Sequence, residues 1–349
     1  MTINPAQSRT LRTTDDLVQA GLVHEDKATA LLAVAKRYAI AITPDIAGLI
    51  RANDPADPIA RQFIPSSQEL LTLPHELADP IGDAAHSPVE GIVHRYPDRV
   101  LLKIVHACPV YCRFCFRREM VGPGGKALMG AKLEAALAYI AANPAIWEVI
   151  LTGGDPFILT ARRISAITRR LAAIPHVRVI RWHTRVPVVD PGRITPAFVK
   201  ALKARGKATY VAIHANHARE FTPAAQAAVA RLADAGPVLL SQSVLLKGVN
   251  ADPDVLADLM RCFVENRIKP YYLHHPDLAP GTSHFRLSIE EGQQIVAALR
   301  GRLSGLCQPE YVLDIPGGHG KVPVGRGYLS GAGSALVVED YRGERRAYG

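Results

Sequence analysis

Three cysteines within eight residues are the side chains of this sequence best suited to chemistry. Cys108, Cys112 and Cys115 follow a short apolar segment, whereas Cys262 and Cys307 stand alone far downstream. Thiolate sulfur binds zinc and iron–sulfur clusters, but a closed site of either kind uses four ligands. The spacing therefore predicts a metal centre to which the chain gives three ligands and at which one position stays open.

Two kinds of metal centre fit this spacing. One is a [4Fe–4S] cluster with one iron free to bind a small molecule, and the other is a zinc knuckle completed by His106 or another histidine. The CxxxCxxC spacing, with the aromatic Phe114 before the third cysteine, resembles the motif of the radical S-adenosylmethionine (SAM) enzymes. This resemblance favours the cluster.

Two glycine-rich turns could bring a ligand close to the backbone. In Gly153-Gly154-Asp155-Pro156, the glycines permit close approach and the aspartate offers an acceptor. Alone this sequence is most often a tight turn, but after a three-cysteine motif it favours ligand binding. The second turn precedes Lys321, whose amine could attack a carbonyl group if it were buried, as pyridoxal 5′-phosphate (PLP) enzymes require. Taken alone, this segment is more typical of a surface loop.

Strands and helices alternate about six times after Arg99, and this alternation predicts how these residues are positioned. Strands are predicted at Val100 to Val105, Trp147 to Leu151, Val177 to Trp182, Ala208 to Ile213, Val238 to Val244 and Lys269 to Leu273. Amphipathic helices are predicted between them, at Lys132 to Ala142, Ile164 to Ala173, Pro223 to Ala235 and Pro253 to Asn266. Such alternation indicates parallel strands with right-handed crossovers, and thus an open or partial α/β barrel. Chemistry in such barrels lies at the C-terminal ends of the strands.

Five segments, in order along the chain, resemble the lysine 2,3-aminomutases, which are PLP-dependent radical SAM enzymes. They are His94 to Leu101, Cys108 to Arg118, Leu151 to Pro156, Ser241 to Asn250 and Asp314 to Val324. The resemblance extends from about Asp54 to Tyr341. It implies a partial (β/α)6 radical SAM barrel over residues 91–315, preceded by a helical extension over 1–90 and followed by a short segment with the PLP lysine over 316–349. It also implies the conversion of L-lysine to β-lysine.

The resemblance assigns three cofactors. A [4Fe–4S] cluster would be bound by Cys108, Cys112 and Cys115. SAM would bind the open iron and contact Gly153, Gly154, Asp155, His214 and Gln242. PLP would form a Schiff base with the catalytic Lys321, and Arg95 would bind its phosphate through a guanidinium fork. An electron donor for the cluster is an expected partner.

The resemblance also implies roles for three further residues, and these roles indicate the substrate. Arg117 would bind the carboxylate of the amino acid, and Asp277 with Asp314 would surround its distal ammonium. Two buried carboxylates without a cation between them repel, so a dicationic amino acid is favoured. In the simpler alternative, Asp277 caps a loop and Asp314 pairs with an arginine. Another diamino acid, such as ornithine, remains an alternative substrate because it differs by only one methylene.

The chain departs from the fermentative lysine enzymes in two places. It ends at Gly349 without the cysteine-rich segment that binds zinc in those enzymes, so we expect no structural zinc and leave a homo-oligomer possible. His274 stands where those enzymes have a tyrosine near the cofactors. The short tail and the segment Tyr271 to His274 resemble the aminomutases that supply (R)-β-lysine for modification of elongation factor P, which is the alternative function.

Composition and charge bear on two other classes of protein, membrane proteins and nucleic-acid-binding proteins. The 349 residues are 48% hydrophobic, with no apolar N-terminal run and no stretch that predicts a membrane span. We therefore expect a cytoplasmic enzyme without a membrane partner, and the five cysteines suit a reducing compartment. The net charge of +9 would suit nucleic acid, and a zinc-binding basic module is the alternative from another class. The arginines, however, lie on a predicted helix or are interleaved with acids, so we expect no nucleic-acid partner.

Overall fold

The core of the protein is a sheet of nine strands within the residues that the computed structural model describes, 9–52, 54–122, 124–332 and 335–348. The strands follow one another in the sheet in chain order. They are β1 (Ile92–Tyr96), β2 (Arg99–Val105), β3 (Glu148–Gly153), β4 (Val179–Thr184), β5 (Ala208–His214), β6 (Val238–Val244), β7 (Lys269–His274), β8 (Glu310–Asp314) and β9 (Lys321–Pro323). A separate small antiparallel sheet contains β10 (Leu329–Ser330), β11 (Val337–Glu339) and β12 (Arg345–Ala347).

Helices cover the sheet and precede it. In chain order they are α1 (Thr14–Gln19), α2 (Glu25–Arg37), α3 (Pro44–Ala47), α4 (Pro58–Phe63), α5 (Gly130–Ala142), α6 (Ala161–Ala172), α7 (Val186–Val189), α8 (Pro196–Ala201), α9 (Pro223–Asp234), α10 (Pro253–Glu265) and α11 (Ile289–Ala297). No helix of the described segments is both long and apolar enough to cross a bilayer.

The predicted mixed α/β fold with a partial barrel is confirmed. The six predicted strands correspond to β2 through β7, with ends that differ by at most two residues. Strands β2 through β8 are parallel, whereas β1 and β9 pair antiparallel at the two edges. Strand β8 was not predicted from the sequence, because its apolar run is short and ends in a polar residue. The division of the chain at residues 90 and 315 stays a prediction, although β9 joins the last segment to the main sheet.

Local sequence signals explain where the crossover helices begin. Thr222 precedes α9 and accepts a hydrogen bond from the backbone of Ala225, and Asp252 caps α10 in the same way. Both helices have proline in the first turn, where no amide donor is needed. All six residues of β3 are buried, as expected for a parallel strand covered on both faces.

A buried ion triad attaches the N-terminal segment to the cysteine segment. Glu69 is fully buried and accepts hydrogen bonds from Arg113, with Nε 2.9 Å from Oε1, and from Arg118. Arg118 also donates to the carbonyl of Gly281, at 2.9 Å. Because both arginines lie within three residues of Cys115, the triad fixes the path of the cysteine segment.

Replacing Glu69 with glutamine is expected to lower the free energy of unfolding by about 3–5 kcal/mol, because two buried guanidinium groups then lack a counter-charge. Denaturant titration of the two proteins measures this. Glu134→Gln is the matched control, since Glu134 pairs with Arg170 on an exposed surface, where an ion pair adds little. Equal unfolding midpoints for Glu69→Gln and the wild-type protein would contradict the structural role of the triad.

Candidate active site

The predicted site residues converge at the C-terminal ends of the parallel strands. The cysteine segment follows β2, and Gly153 ends β3. His214 ends β5, Gln242 lies near the end of β6, and Asp314 ends β8. Lys321 begins β9 and lies directly opposite Asp314 in the antiparallel pair. The sheet thereby brings together residues that are separated by more than two hundred positions in the chain.

The three cysteines of the cysteine segment are half-buried, and their thiols influence one another. Burial, followed by the charges of Asp155 and the other two cysteines, raises the pKa of Cys108 well above its usual value. Burial and the charge of Cys112 raise the pKa of Cys115 to about 11. Three sulfurs that repel one another as thiolates fit a cationic cluster, which stabilises the thiolate form.

Each cysteine of a [4Fe–4S] cluster binds a different iron, so the sulfurs need not converge on one point. In the described parts of the chain, no three His, Cys, Asp or Glu side chains are grouped to hold a single metal ion.

The glycine turn after β3 packs directly against the cysteine segment. The amide of Gly154 donates to the carbonyl of Val105 at 2.5 Å, and that of Asp155 donates to the carbonyl of Ala107 at 2.9 Å. Gly153 has a φ of 114°, which favours glycine. A Cβ atom on Gly154 would lie 2.2 Å from the oxygen of Ala107. The glycines are therefore required for the turn to lie against the backbone just before Cys108.

Gly154→Ala is expected to displace the cysteine segment and to lower iron and sulfide content per chain by more than half, because backbone atoms cannot yield to the added methyl. Metal and sulfide analysis after anaerobic reconstitution measures the effect. Gly192→Ala is the control, since a Cβ there meets nothing within 4 Å. Full cluster content in Gly154→Ala would show that the close contact is not needed.

Asp155 positions this turn with its side chain. Its Oδ1 accepts from the amide of Phe157 and the hydroxyl of Thr184, at 2.9 and 2.8 Å. Its Oδ2 accepts from the amides of Arg185 and Val186, at 2.6 and 3.2 Å. Because four donors of the protein occupy this carboxylate, the turn presents its glycine backbone, more than the Asp155 side chain, to a ligand.

His214 has a buried ring nitrogen without a partner. Its ring stacks on that of Phe114, with centroids 5.6 Å apart and an angle of 13° between the planes. Its Nε2 has no hydrogen-bond partner, and burial, followed by the charge of Arg185, lowers its pKa well below the usual value. A neutral, unpartnered nitrogen beside the cysteine segment fits a polar group of a bound ligand such as SAM.

Lys321 lies in a pocket of polar side chains at the end of β8. Its ammonium pairs with Asp314 and lies 3.3 Å from Nδ1 of His274. The His274 Nε2 lies 3.2 Å from the amide nitrogen of Gln242. Burial, followed by the charge of Lys321, lowers the pKa of His274. His274 therefore links the predicted PLP lysine to a predicted SAM contact.

The pKa values of the two predicted substrate carboxylates are shifted in opposite directions. Burial opposes ionisation of Asp314, but the hydrogen bond from His274 and the charge of Lys321 hold its pKa below the usual range. Burial, followed by the charge of Asp314, raises the pKa of Asp277 to about 7, although Lys321 and Arg117 act in the opposite direction. Asp314 is thus paired with Lys321 and not with an arginine, while Asp277 lacks a sufficient counter-charge.

Asp83 is a site residue that no sequence motif indicates. It is 1% exposed and pairs with Arg95 at 3.2 Å, with Arg117 at 3.0 Å and with Lys103 at 3.9 Å. The charges of Arg117, Lys103 and Arg95 outweigh burial and lower its pKa. Asp83 therefore positions both arginines predicted to bind anionic groups. It lies in a loop without a motif, so only the ion pairs identify it.

The loop of Asp83 also contacts the glycines before Lys321. A Cβ on Gly82 would lie 2.4 Å from the amide nitrogen of Gly318, and His86 Nε2 lies 3.0 Å from the Gly318 carbonyl oxygen. The Nε atoms of Arg95 and Arg117 are buried and have no partner. Unpartnered cationic donors near a glycine-rich backbone fit the phosphate of PLP and a substrate carboxylate.

Comparison with known proteins gives a consistent result. The model of the Radical SAM superfamily matches residues 102–260. The chain is 40% identical to L-lysine 2,3-aminomutase of Clostridium subterminale over 314 residues, which are 90% of this chain and 75% of that protein. It is 38% identical to L-lysine 2,3-aminomutase of Fusobacterium nucleatum over 97% of this chain and 80% of that protein. It is also 36% identical to glutamate 2,3-aminomutase of Clostridioides difficile, over 87% and 72%.

Proposed function

Because the chain belongs to the lysine 2,3-aminomutase family of radical SAM enzymes, we propose that it converts L-lysine to β-lysine by moving the α-amino group to the β-carbon. The observation that carries the choice of substrate is the Asp277–Asp314 pair next to Lys321. Arg117, held by Asp83 at 3.0 Å, would bind the substrate carboxylate. The site thus has groups for both ends of lysine.

The bound cofactors supply the bond-breaking chemistry: the reduced cluster and SAM provide a radical that removes hydrogen, and PLP provides a π-system on which the amino group migrates. Cys108, Cys112 and Cys115 would bind the cluster, and Gly153, Gly154, His214 and Gln242 would line the SAM site, with Asp155 positioning the turn. Lys321 would hold PLP, with Arg95 on the phosphate. The protein contributes placement of the reacting groups and exclusion of water.

Lys321 must lose a proton before its amine can react with a carbonyl. His274 Nδ1 lies 3.3 Å from Nζ and 3.4 Å from Asp314 Oδ2, so this ring nitrogen lies beside both the amine and its carboxylate partner. Asp314 already pairs with the ammonium. Once Lys321 is neutral, Asp314 and Asp277 no longer have its ammonium as a counter-charge.

The distal ammonium of the substrate lysine would supply this positive charge. It would lie between two carboxylates, of which Asp277 has its pKa raised to about 7 by burial and by the charge of Asp314. A glutamate side chain would add a third carboxylate at the same place and would be repelled. The charge of this end of the site therefore favours a diamino acid over glutamate, although a glutamate 2,3-aminomutase is among the similar proteins.

The test is turnover by the reconstituted enzyme. The protein is purified and reconstituted anaerobically, supplied with PLP, SAM and dithionite as electron donor, and given L-lysine, L-ornithine or L-glutamate, with products identified by mass spectrometry. We expect β-lysine from L-lysine and no product from L-glutamate. Cleavage of SAM without β-lysine would reject lysine as the substrate. Metal analysis and the mass of the same preparation test the expected absence of structural zinc and the oligomeric state.

A further inference from the structure

Arg185 connects the cysteine segment, the glycine turn and the N-terminal segment. It directly follows β4, and its side chain is only 6% exposed. Its backbone amide donates to Asp155 at 2.6 Å, which ties it to the turn after β3. Its guanidinium lies 4.6 Å from the ring centroid of Phe63 and 5.4 Å from that of Phe114. The side chain is therefore enclosed between aromatic rings.

The two terminal nitrogens of Arg185 point in different directions. One of them, Nη1, donates to Cys112 Sγ at 2.9 Å. The other, Nη2, donates to Glu220 Oε2 at 2.7 Å and to Gln62 Oε1 at 2.6 Å. Glu220 is fully buried and is fixed by the backbone amides of Asn216 and His217, at 2.8 and 3.0 Å. The donor that faces the sulfur is thus held in place from its far side.

We propose that Arg185 is a positioning residue of the metal centre, whose hydrogen bond to the Cys112 sulfur raises the reduction potential of the [4Fe–4S] cluster. This inference rests on the proposed function, because it requires that cluster. Reduction adds one electron to the cluster and increases the negative charge on its thiolates. A donor aimed at one of those sulfurs stabilises the reduced form more than the oxidised form. Because Glu220 balances the guanidinium, the effect depends on this directed N–H group.

The first experiment is an anaerobic potential titration followed by electron paramagnetic resonance of the reduced cluster. Arg185→Met retains the length and loses the donor, and we expect about a tenfold smaller equilibrium constant for reduction, which is about 59 mV for one electron. Arg185→Lys, which retains an N–H donor on a different head group, is expected to recover part of the shift. Arg193→Met is the matched control, since Arg193 lies nearby in sequence but donates to the carbonyls of Phe157 and Ile158.

A second measurement detects the hydrogen bond in the wild-type protein itself. Wild-type protein labelled with 15N in its arginine guanidinium groups and reduced without SAM is expected to show a 15N coupling to the cluster by pulsed resonance, and Arg185→Lys is expected to lose it. If Arg185→Met does not retain its cluster, the 15N coupling alone tests whether Arg185 donates to the cluster.

The outcomes separate this inference from the proposed function. A wild-type chain that binds no iron and sulfide overturns both. An intact cluster with the same potential in Arg185→Met and in wild type, or with no 15N coupling in the labelled protein, overturns the role of Arg185 alone. A lower potential in Arg185→Met than in Arg193→Met supports it.

Discussion

Replacing Lys321 with alanine is expected to abolish PLP attachment and to lower aminomutase turnover by at least about 10³-fold, as loss of a covalent catalytic group does. Lys321 is the side chain whose amine lies beside His274 and Asp314 at the end of β8. The measurement is the visible absorbance of the Schiff base together with β-lysine formation.

The control for this variant is Lys132→Ala, since Lys132 pairs with Glu90 on an exposed surface. SAM cleavage should survive in Lys321→Ala, because the cysteine segment and the glycine turn do not depend on Lys321 for their contacts. A Schiff base that persists in Lys321→Ala would place PLP on another lysine and would remove the central assignment of the site.

Replacing Asp277 with asparagine is expected to lower kcat/KM for L-lysine by roughly 10²–10³-fold, because removing one partner of a buried charge pair costs about 2–5 kcal/mol. Asp277 is the cleaner test of the two carboxylates, since Asp314 also pairs with Lys321. Steady-state kinetics with saturating cofactors measure the change. Asp258→Asn, on the exposed face of α10, is the matched control.

The pH dependence of lysine binding provides a second readout for Asp277. In the free site its pKa is raised to about 7, so the carboxyl is neutral below that pH and charged above it. Binding of an ammonium favours the charged form. The KM for lysine should therefore rise as the pH falls through about 7, and Asp277→Asn should lose this rise. An unchanged KM profile in the variant would assign the effect to another group.

The residues of the sequence predicted most of the barrel because their signals are local. An apolar run followed by an amphipathic helix identifies each β/α unit from neighbours along the chain, and six of the seven parallel strands were found in this way. β8 was missed since its short run has no such pattern. The same locality applies to Cys108, Cys112 and Cys115, because metal-binding spacing is a property of adjacent residues.

The residues that support the site were not predictable, because their partners lie far away in the chain. Asp83 has the composition of any loop aspartate, and its role follows only from its ion pairs with Arg95, Lys103 and Arg117. The sequence resemblance suggested a SAM contact for Asp155, but the fold occupies its carboxylate with four donors from β4 and the neighbouring turns. Burial also raises the pKa of Asp277, and no sequence pattern indicates that this residue is buried.

The sequence by itself determined the chemistry that this protein can attempt: three thiolates in one segment, a glycine turn and a single lysine after a glycine-rich loop. The tertiary structure decided how those groups are charged and held. Arg185 reaches Cys112 across 73 positions, and Arg118 reaches Glu69 across 49. Hydrogen bonds and ion pairs of this kind depend on three-dimensional distance and burial, and neither quantity follows from the order of the residues alone.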